Sequence, residues 1–301
     1  LYASSNNSIC KNNIMNNLYG VLLEFFSSDN IVNVNNITNN IWGIYLIGSD
    51  RNTICGNMVR NNSRGIYIET SSQNILRDNS LSGNRRNFGV FAGNMRMLRF
   101  PGFQAELSLS NFIQHIDASN TINGKPVYYF VNQKSLLINS SDIGYLGLVN
   151  CTNIYVKDVT LTNNGQGLLV AFTTNSTIEN VTTARNEVGI HLLGADANSI
   201  AASHLADNIF GISLYNASYN KFTKNALTNN GFLYDGSYGG GIVIGLLVYS
   251  LGSIGFMDET IPSLVNVIDS NMISNNSVGI GLHNAGTALN IVTCNTILKN
   301  E

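Results

Sequence analysis

A repeat of about 22 residues is the feature that most constrains how this chain can fold. Nine times a glycine is followed by alternating apolar residues, as in GIYL at Gly43 and GIYI at Gly65, and five of the eight separations between neighbouring copies are 22 to 24 residues. A second phrase, N-x-I-x-x-N-x-[IV]-x-x-N, runs upstream of the glycine, for example from Asn52 to Asn62. Alternation of period two predicts β-strands, and self-similarity at this period predicts a repeat architecture. The nine anchor glycines are Gly20, Gly43, Gly65, Gly89, Gly167, Gly189, Gly211, Gly241 and Gly279.

Three short alternating stretches in each repeat leave no room for a pair of helices. They predict an all-β fold, a right-handed single-stranded parallel β-helix in which each coil of about 22 residues has three strands and stacks on the last at about 4.8 Å. Apolar members of the phrase would fill the interior, and repeated asparagines would stack at the corners. The anchor glycine is expected at a corner with positive φ.

We expect one β-helix domain over residues 1–301, with insertions at about 91–147 and 231–265. The first insertion contains a hairpin signal, Asn123-Gly124, before the strand-like PVYYF. The apolar run 239–256 approaches the length of a membrane span, but glycines interrupt it, so it is interpreted as strand plus loop. The coils are expected to continue through both insertions.

Composition excludes several classes of protein. Charged residues make up 11% of the chain, against about 25% in typical globular proteins, and the polarity lies instead in 48 asparagines. Hydrophobic residues at 44% argue against disorder. A net charge of −2 provides no electrostatic footprint for nucleic acid, and no transmembrane segment is expected.

The phased coils, together with IDASNTINGKPVYYFVNQKS at 116–135 and GLVNCTNIYVKDVTLTNNGQGLLV at 147–170, resemble archaeal NosD-like surface proteins with PbH1-type parallel β-helix repeats. That group belongs to a wider set of carbohydrate-binding proteins and sugar hydrolases. The resemblance implies the fold and an extracellular or cell-surface location. It does not imply one activity, because the set includes envelope proteins, polysaccharide lyases, epimerases and a copper-maturation accessory protein.

Catalytic and metal-binding signals are weak. The acidic residues occupy different phases of the repeat, and the nearest local constellation is His115 with Asp117, which is either a catalytic pair or a polar edge of the insertion. Copper favours clustered Met, Cys and His, which the sequence lacks, so no metal and no cofactor are predicted, with a structural calcium left open. His191 takes the outward slot of its strand and is expected at the surface.

The four cysteines are Cys10, Cys55, Cys151 and Cys294. Cys10 and Cys55 share a phase two coils apart, which predicts about 9.6 Å between their α-carbons. A disulfide needs less than about 7 Å, so no bridge is expected between them. The cysteines are either small buried residues or partners in disulfides between subunits.

Two further sets of residues lie on the predicted outside. The residue two places after the anchor glycine points outward, so Leu22, Tyr45, Tyr67 and Phe91 are expected to form a stripe that serves protein assembly, binds glycan, or is covered by an inserted loop. Nine N-x-[ST] sequons are candidates for glycosylation, although an asparagine-rich repeat generates them by chance. They begin at Asn6, Asn36, Asn61, Asn139, Asn150, Asn175, Asn180, Asn216 and Asn275.

These observations favour a non-enzymatic structural protein of an archaeal cell envelope, assembling end to end or side by side into a surface layer, sheath or fibre. Neither end of the sequence carries a capping repeat, which invites stacking of subunits. The alternative is a polysaccharide-binding or polysaccharide-cleaving protein, acting as lyase, hydrolase or epimerase, that uses its outer groove. A trimeric adhesin shares the fold and is a third reading.

Overall fold

The computed structural model describes residues 1–92, 107–231, 239–244, 263–283 and 287–300. The described chain is almost entirely β, and consecutive coils pair in parallel register about 22 residues apart: Ile9 with Val32, Val32 with Ile54, and Ile54 with Leu76. The predicted right-handed parallel β-helix is confirmed.

The chain divides into two compact units. The described residues of unit 1 are 1–92, 107–129 and 163–165, and those of unit 2 are 130–162, 166–231, 239–244, 263–283 and 287–300. The interpretation as one domain stays a prediction. No helix among the described residues is long and apolar enough to cross a membrane.

Unit 1 has three parallel sheets, one for each side of the coil. In spatial order they are β1-β4-β7-β10-β13, β2-β5-β8-β11-β14 and β3-β6-β9-β12. A short 3-10 helix, Leu109–Phe112, precedes β13. The strands are β1 Ser8–Cys10, β2 Asn13–Met15, β3 Tyr19–Glu24, β4 Ile31–Asn33, β5 Asn36–Thr38, β6 Trp42–Ile47, β7 Thr53–Cys55, β8 Met58–Arg60, β9 Arg64–Glu69, β10 Ile75–Arg77, β11 Ser80–Ser82, β12 Arg86–Phe91, β13 His115–Ile116, β14 Thr121–Ile122 and β15 Lys125–Val131, the last of which ends in unit 2.

Unit 2 repeats the same three-sided plan. Its sheets are β16-β18-β21-β24-β27-β30-β33, β19-β22-β25-β28-β31-β34 and β17-β20-β23-β26-β29-β32. The strands are β16 Leu137–Ile138, β17 Tyr145–Val149, β18 Tyr155–Lys157, β19 Thr160–Thr162, β20 Gln166–Ala171, β21 Thr177–Glu179, β22 Thr182–Ala184, β23 Val188–Leu193, β24 Ser199–Ala201, β25 His204–Ala206, β26 Phe210–Tyr215, β27 Lys221–Thr223, β28 Ala226–Thr228, β29 Gly240–Ile244, β30 Val267–Asp269, β31 Met272–Ser274, β32 Ile280–Leu282, β33 Ile291–Thr293 and β34 Thr296–Leu298.

Buried asparagines form ladders between coils at the corners. The backbone N–H and the side-chain Nδ2 of Asn57 both donate to Oδ1 of Asn79, each at 3.0 Å. Nδ2 of Asn57 also donates to the carbonyl of Val32 at 2.8 Å. Each ladder amide therefore satisfies backbone groups that would otherwise be buried without a partner. The predicted stacking of asparagines is confirmed.

The anchor glycines are needed for a different reason from the one expected. None of them has a positive φ. A Cβ added to Gly43 would lie 2.6 Å from the carbonyl oxygen of Gly65 and 2.7 Å from Cγ1 of Val59. The glycine is required because the next coil approaches too closely for a side chain. The left-handed positions belong instead to corner residues such as Asn39 and Asn61.

Regular coil strands run through both predicted insertions. Strand β13 pairs with β10, and β14 pairs with β11, so residues 115–122 supply two of the three strands of a coil. Asn123 and Gly124 have φ of 50° and 83°, and β14 pairs antiparallel with β15, which confirms the hairpin. In the second insertion β29 pairs with β26. Residues 93–106, 232–238 and 245–262 of the two insertions lie outside the described residues.

Candidate functional site

The outer face of the sheet β3-β6-β9-β12 in unit 1 carries an unusual row of side chains. Tyr19 pairs in register with Trp42, Trp42 with Arg64, and Arg64 with Arg86. We call these four residues the outer column. Because neighbouring strands lie about 4.8 Å apart, two aromatic rings and two guanidinium groups follow one another along consecutive coils.

The aromatic end of the outer column is a stack of near-parallel rings. The centroids of Trp42 and Tyr45 are 4.4 Å apart with planes at 18°. The ring of Tyr19 lies 6.3 Å from Trp42 and 6.2 Å from Tyr45, at 21° and 12°. Tyr19 is 37% exposed, whereas Trp42 is 5% exposed. Tyr19 is therefore the ring of this stack that solvent reaches.

Charged groups border the ring stack. The guanidinium carbon of Arg64 lies 4.4 Å above the centroid of the Trp42 ring, a cation–π contact. The phenol of Tyr45 donates to the buried carboxylate of Glu69 at 2.5 Å. Arg64 and Arg86 are half-buried and Arg85 beside them is exposed. A chain with little charge thus places three arginines on two consecutive coils.

The predicted outward stripe is correct in part. Leu22, Tyr45 and Tyr67 do pair in register. Phe91 does not join them, because Gly89 pairs with Tyr67 while Phe91 pairs with Glu69. The fourth coil carries Asn87 where earlier coils have the anchor glycine, so the motif at Gly89 is displaced by two residues.

The stripe is not an exposed platform, and of the three alternatives its burial favours a covered wall. Tyr45 is 9% exposed, and Tyr67 and Phe91 are 0% exposed; Leu22 is half-buried. The ring of Phe91 fills the space above Gly89, with Cε2 2.6 Å from an added Cβ, and stacks on Tyr67 at 5.8 Å and 13°. These residues form a packed outer cluster.

Sequence reasoning missed the outer column, although a signal was present. Tyr19, Trp42 and Arg64 each immediately precede an anchor glycine. The predicted stripe uses the position two residues after the glycine. The position before it is the one that combines rings, charge and partial exposure.

The sheet of anchor-glycine strands in unit 2 holds a buried histidine. His191 pairs in register with Leu169 and Ser213 in the outward slot. It is 0% exposed, so the expectation of a surface histidine was wrong. Burial lowers the pKa of His191 to about 3, and the imidazole is neutral at physiological pH.

The weak catalytic candidates lie together on the surface of unit 1. His115 and Asp117 are both exposed. The carboxylate of Asp117 accepts the backbone N–H of Ser119 at 3.1 Å and its hydroxyl. That carboxylate thus stabilises its own turn, and a catalytic role for the pair stays a prediction.

The cysteines follow the predicted register. Asn33 lies between Cys10 and Cys55, which confirms that two coils separate them, and all four cysteines are free thiols. Cys151 is 2% exposed and burial raises the pKa of its thiol, which favours the alternative of a small buried residue at this position. Disulfides between subunits stay a prediction for all four cysteines, of which Cys10 and Cys294 are exposed and Cys55 is half-buried.

Most sequons present their asparagine to solvent. Asn36 and Asn216 are half-buried. The other seven are exposed: Asn6, Asn61, Asn139, Asn150, Asn175, Asn180 and Asn275. Their glycosylation stays a prediction.

Comparisons with known proteins identify a family and several proteins of similar fold. The family model described as periplasmic copper-binding protein (NosD) matches residues 1–98 and 94–244. No curated protein matches the chain. Similar solved structures include a mutant of the periplasmic alginate epimerase AlgG, at 13% identity and TM-score 0.38, over 89% of this chain and 51% of that one. This chain therefore spans about half the length of that enzyme.

Two further solved structures resemble the chain. One is the A-module of an Azotobacter vinelandii mannuronan C-5 epimerase, at 16% identity and TM-score 0.34, over 91% of this chain and 87% of that one. The other is an alginate lyase in complex with a trisaccharide, at 10% identity and TM-score 0.30, over 90% and 54%.

The prediction of a non-enzymatic, self-assembling envelope protein is corrected by these findings. The matching family is described by periplasmic copper binding, and the structures found are alginate epimerases and an alginate lyase. Neither comparison points to a surface layer, sheath or fibre.

Proposed function

The chain belongs to the NosD family, and from that membership and the outer column we propose that it acts outside the cytoplasm by binding an acidic polysaccharide. The resemblance seen in the sequence is thereby confirmed at the level of the family. The cell-surface location and the archaeal source that the sequence suggested stay predictions.

The observation that carries the proposal is the register Tyr19–Trp42–Arg64–Arg86. An acidic polysaccharide repeats two features along its length, an apolar ring face and a carboxylate. Guanidinium groups bind carboxylates through paired hydrogen bonds, and aromatic rings offer a flat apolar surface. A column that changes from rings to guanidinium groups from coil to coil matches both features.

The accessible part of the column supports the same ligand. Tyr19 is 37% exposed, and Arg64, Arg85 and Arg86 have solvent-exposed surface. Arg64 and Arg86 are directly opposite one another on neighbouring coils. An acidic ligand that binds the folded chain there would stabilise unit 1 against unfolding.

Copper does not fit the described residues. Among them no group of three or more His, Cys, Asp or Glu side chains could hold a metal ion. Cys151 and His191 are buried. We therefore derive no step through copper, and a structural calcium stays a prediction.

Titration calorimetry with alginate oligosaccharides, used as the probe polyanion, tests the proposal. We expect the double variant Arg64→Gln/Arg86→Gln to bind at least about tenfold more weakly, because a hydrogen bond to a charged group contributes about 1.5–3 kcal/mol. Binding should also weaken with added salt. The matched control is Arg77→Gln, an exposed arginine on β10 of another sheet, which should leave affinity unchanged.

Equal affinity of wild type and double variant, with both folded by circular dichroism, would contradict the proposal. So would equal binding of neutral dextran. Shortening or epimerisation of the bound alginate in the same samples, lost on His115→Ala, would establish the alternative of an enzymatic activity separately from binding.

A further inference from the structure

One corner of unit 2 changes character along the coils. The corner residues are Asn153, Asn175, Ala197, Tyr219, Val265 and Leu289, and all six have left-handed backbones with φ between 52° and 59°. Hydrogen bonds place them in one line: Tyr219 N–H donates to the carbonyl of Leu264, and Val265 N–H to that of Ala288. The last three residues, Tyr219, Val265 and Leu289, form what we call the apolar ridge.

The apolar ridge is unfavourable for folding in two ways. A left-handed backbone costs roughly 1–2 kcal/mol for an ordinary L-residue and suits Gly or Asn. Tyr219 is 63% exposed and Leu289 is 75% exposed, so the apolar side chains gain little from burial. The equivalent corner of unit 1 is polar in every coil, with Asn6, Asp29, Arg51 and Gln73.

The neighbours of the ridge extend the apolar surface and add positive charge. On the adjacent sheet face Val267 is half-buried. Lys221 follows Tyr219 on β27 and is exposed, and Lys224 is exposed at the next corner. The nearby acidic groups are the half-buried Asp269, and Asp196, whose carboxylate accepts the backbone N–H of Ser218 at 2.7 Å.

We propose that the apolar ridge docks on a lipid surface. The ridge presents one corner side chain from each of three consecutive coils, which a fluid bilayer can accept, whereas a protein partner would need a matching pocket. Tyrosine is favoured at the membrane interface, and aliphatic side chains bury in the boundary between headgroups and acyl chains. Lys221 and Lys224 add attraction to anionic headgroups. This docking is independent of the polysaccharide site in unit 1.

Sedimentation with vesicles tests the proposal. Wild-type protein should pellet with vesicles of phosphatidylcholine and phosphatidylglycerol in equal parts. The double variant Tyr219→Asn/Leu289→Asn should show a partition coefficient at least about tenfold lower, because two exposed apolar groups no longer enter the bilayer. Its melting temperature should rise, because asparagine is better suited to a left-handed corner. A loss of binding together with a gain in stability excludes misfolding as the cause.

The matched control is Ala197→Asn, which makes the same residue at the same corner one coil before the ridge. It should leave vesicle binding unchanged. The proposal fails if wild-type protein stays in the supernatant, or if the double variant binds as well as wild type. A dimer in gel filtration that the double variant abolishes, without vesicle binding by wild type, would assign the ridge to a second copy of the chain instead.

Discussion

At the scale of single residues, the corner asparagines explain both the composition and the sequons. Residues 61–63 show the pattern. Asn61 is a left-handed corner residue, Asn62 supplies a buried ladder amide, and Ser63 immediately precedes strand β9. Asparagine tolerates the left-handed region and its amide serves the ladder. The N-x-[ST] sequence therefore follows from the geometry of the corner, and the number of sequons is not in itself a sign of glycosylation.

Because of the ladder hydrogen bonds, we expect the removal of one buried amide to lower the free energy of unfolding substantially. In Asn57→Ala the backbone N–H of Asn35 loses its acceptor at 3.0 Å and the carbonyl of Val32 loses its donor. We expect a loss of about 2–4 kcal/mol in the free energy of unfolding, because each buried group left without a partner costs about 1–3 kcal/mol. Urea denaturation measures it. The control Asn36→Thr, at a half-buried strand position, should change stability by less than about 0.5 kcal/mol.

At the scale of the coil, glycine is required at two kinds of position for different structural reasons. Gly43 has an ordinary φ but no room for a side chain, whereas Gly56 has φ +64° and its nearest neighbour to an added Cβ, Cγ2 of Val34, is 3.6 Å away. Gly43 thus allows close stacking of coils, and Gly56 allows a left-handed corner. The distinction is invisible in the sequence, where both are glycines within a repeat.

The two glycines should respond differently to substitution. Gly43→Ala is expected to destabilise by about 3 kcal/mol or more, because a methyl group would clash with backbone that cannot move away. Gly56→Ala should lower the free energy of unfolding by only about 1–2 kcal/mol, because alanine is disfavoured in the left-handed region. Asparagine at position 56 should recover part of that loss and asparagine at position 43 none of it. Chemical denaturation of the four variants distinguishes these cases, and equal losses at both positions would refute the explanation.

At the scale of the whole molecule, stability should depend on acid through a buried histidine. His191 has its pKa lowered to about 3 by burial, while an unfolded histidine titrates near 6.5. Below about pH 6.5 the unfolded chain binds a proton that the folded chain does not. The contribution of His191 to folding stability therefore falls as the pH decreases from about 6.5 to about 3. Above about pH 6.5 this contribution is constant.

His191→Gln should flatten the dependence of the unfolding free energy on pH between about 6.5 and 3. The difference in pKa corresponds to a loss on the order of 4–5 kcal/mol at the acid end. Urea titrations at a series of pH values measure the slope. His115→Gln, at an exposed position, is the control and should keep the slope of the wild type. A variant at position 191 that keeps that slope would show that another group is responsible.

The sequence by itself determined the fold, because the period of a β-solenoid is written directly in its side chains: one coil per 22 residues, apolar residues inward, asparagines at the corners. It also determined the register that separates Cys10 from Cys55 and the hairpin at Asn123. Only the tertiary structure decided which outward side chains are covered. Alternation tells that Tyr67 and His191 point away from the interior, but Tyr67 is packed between Trp42 and Phe91 of the neighbouring coils, and the burial of His191 is visible only in the folded chain. The displaced register at Gly89, and with it the row from Tyr19 to Arg86, likewise depends on how whole coils pair.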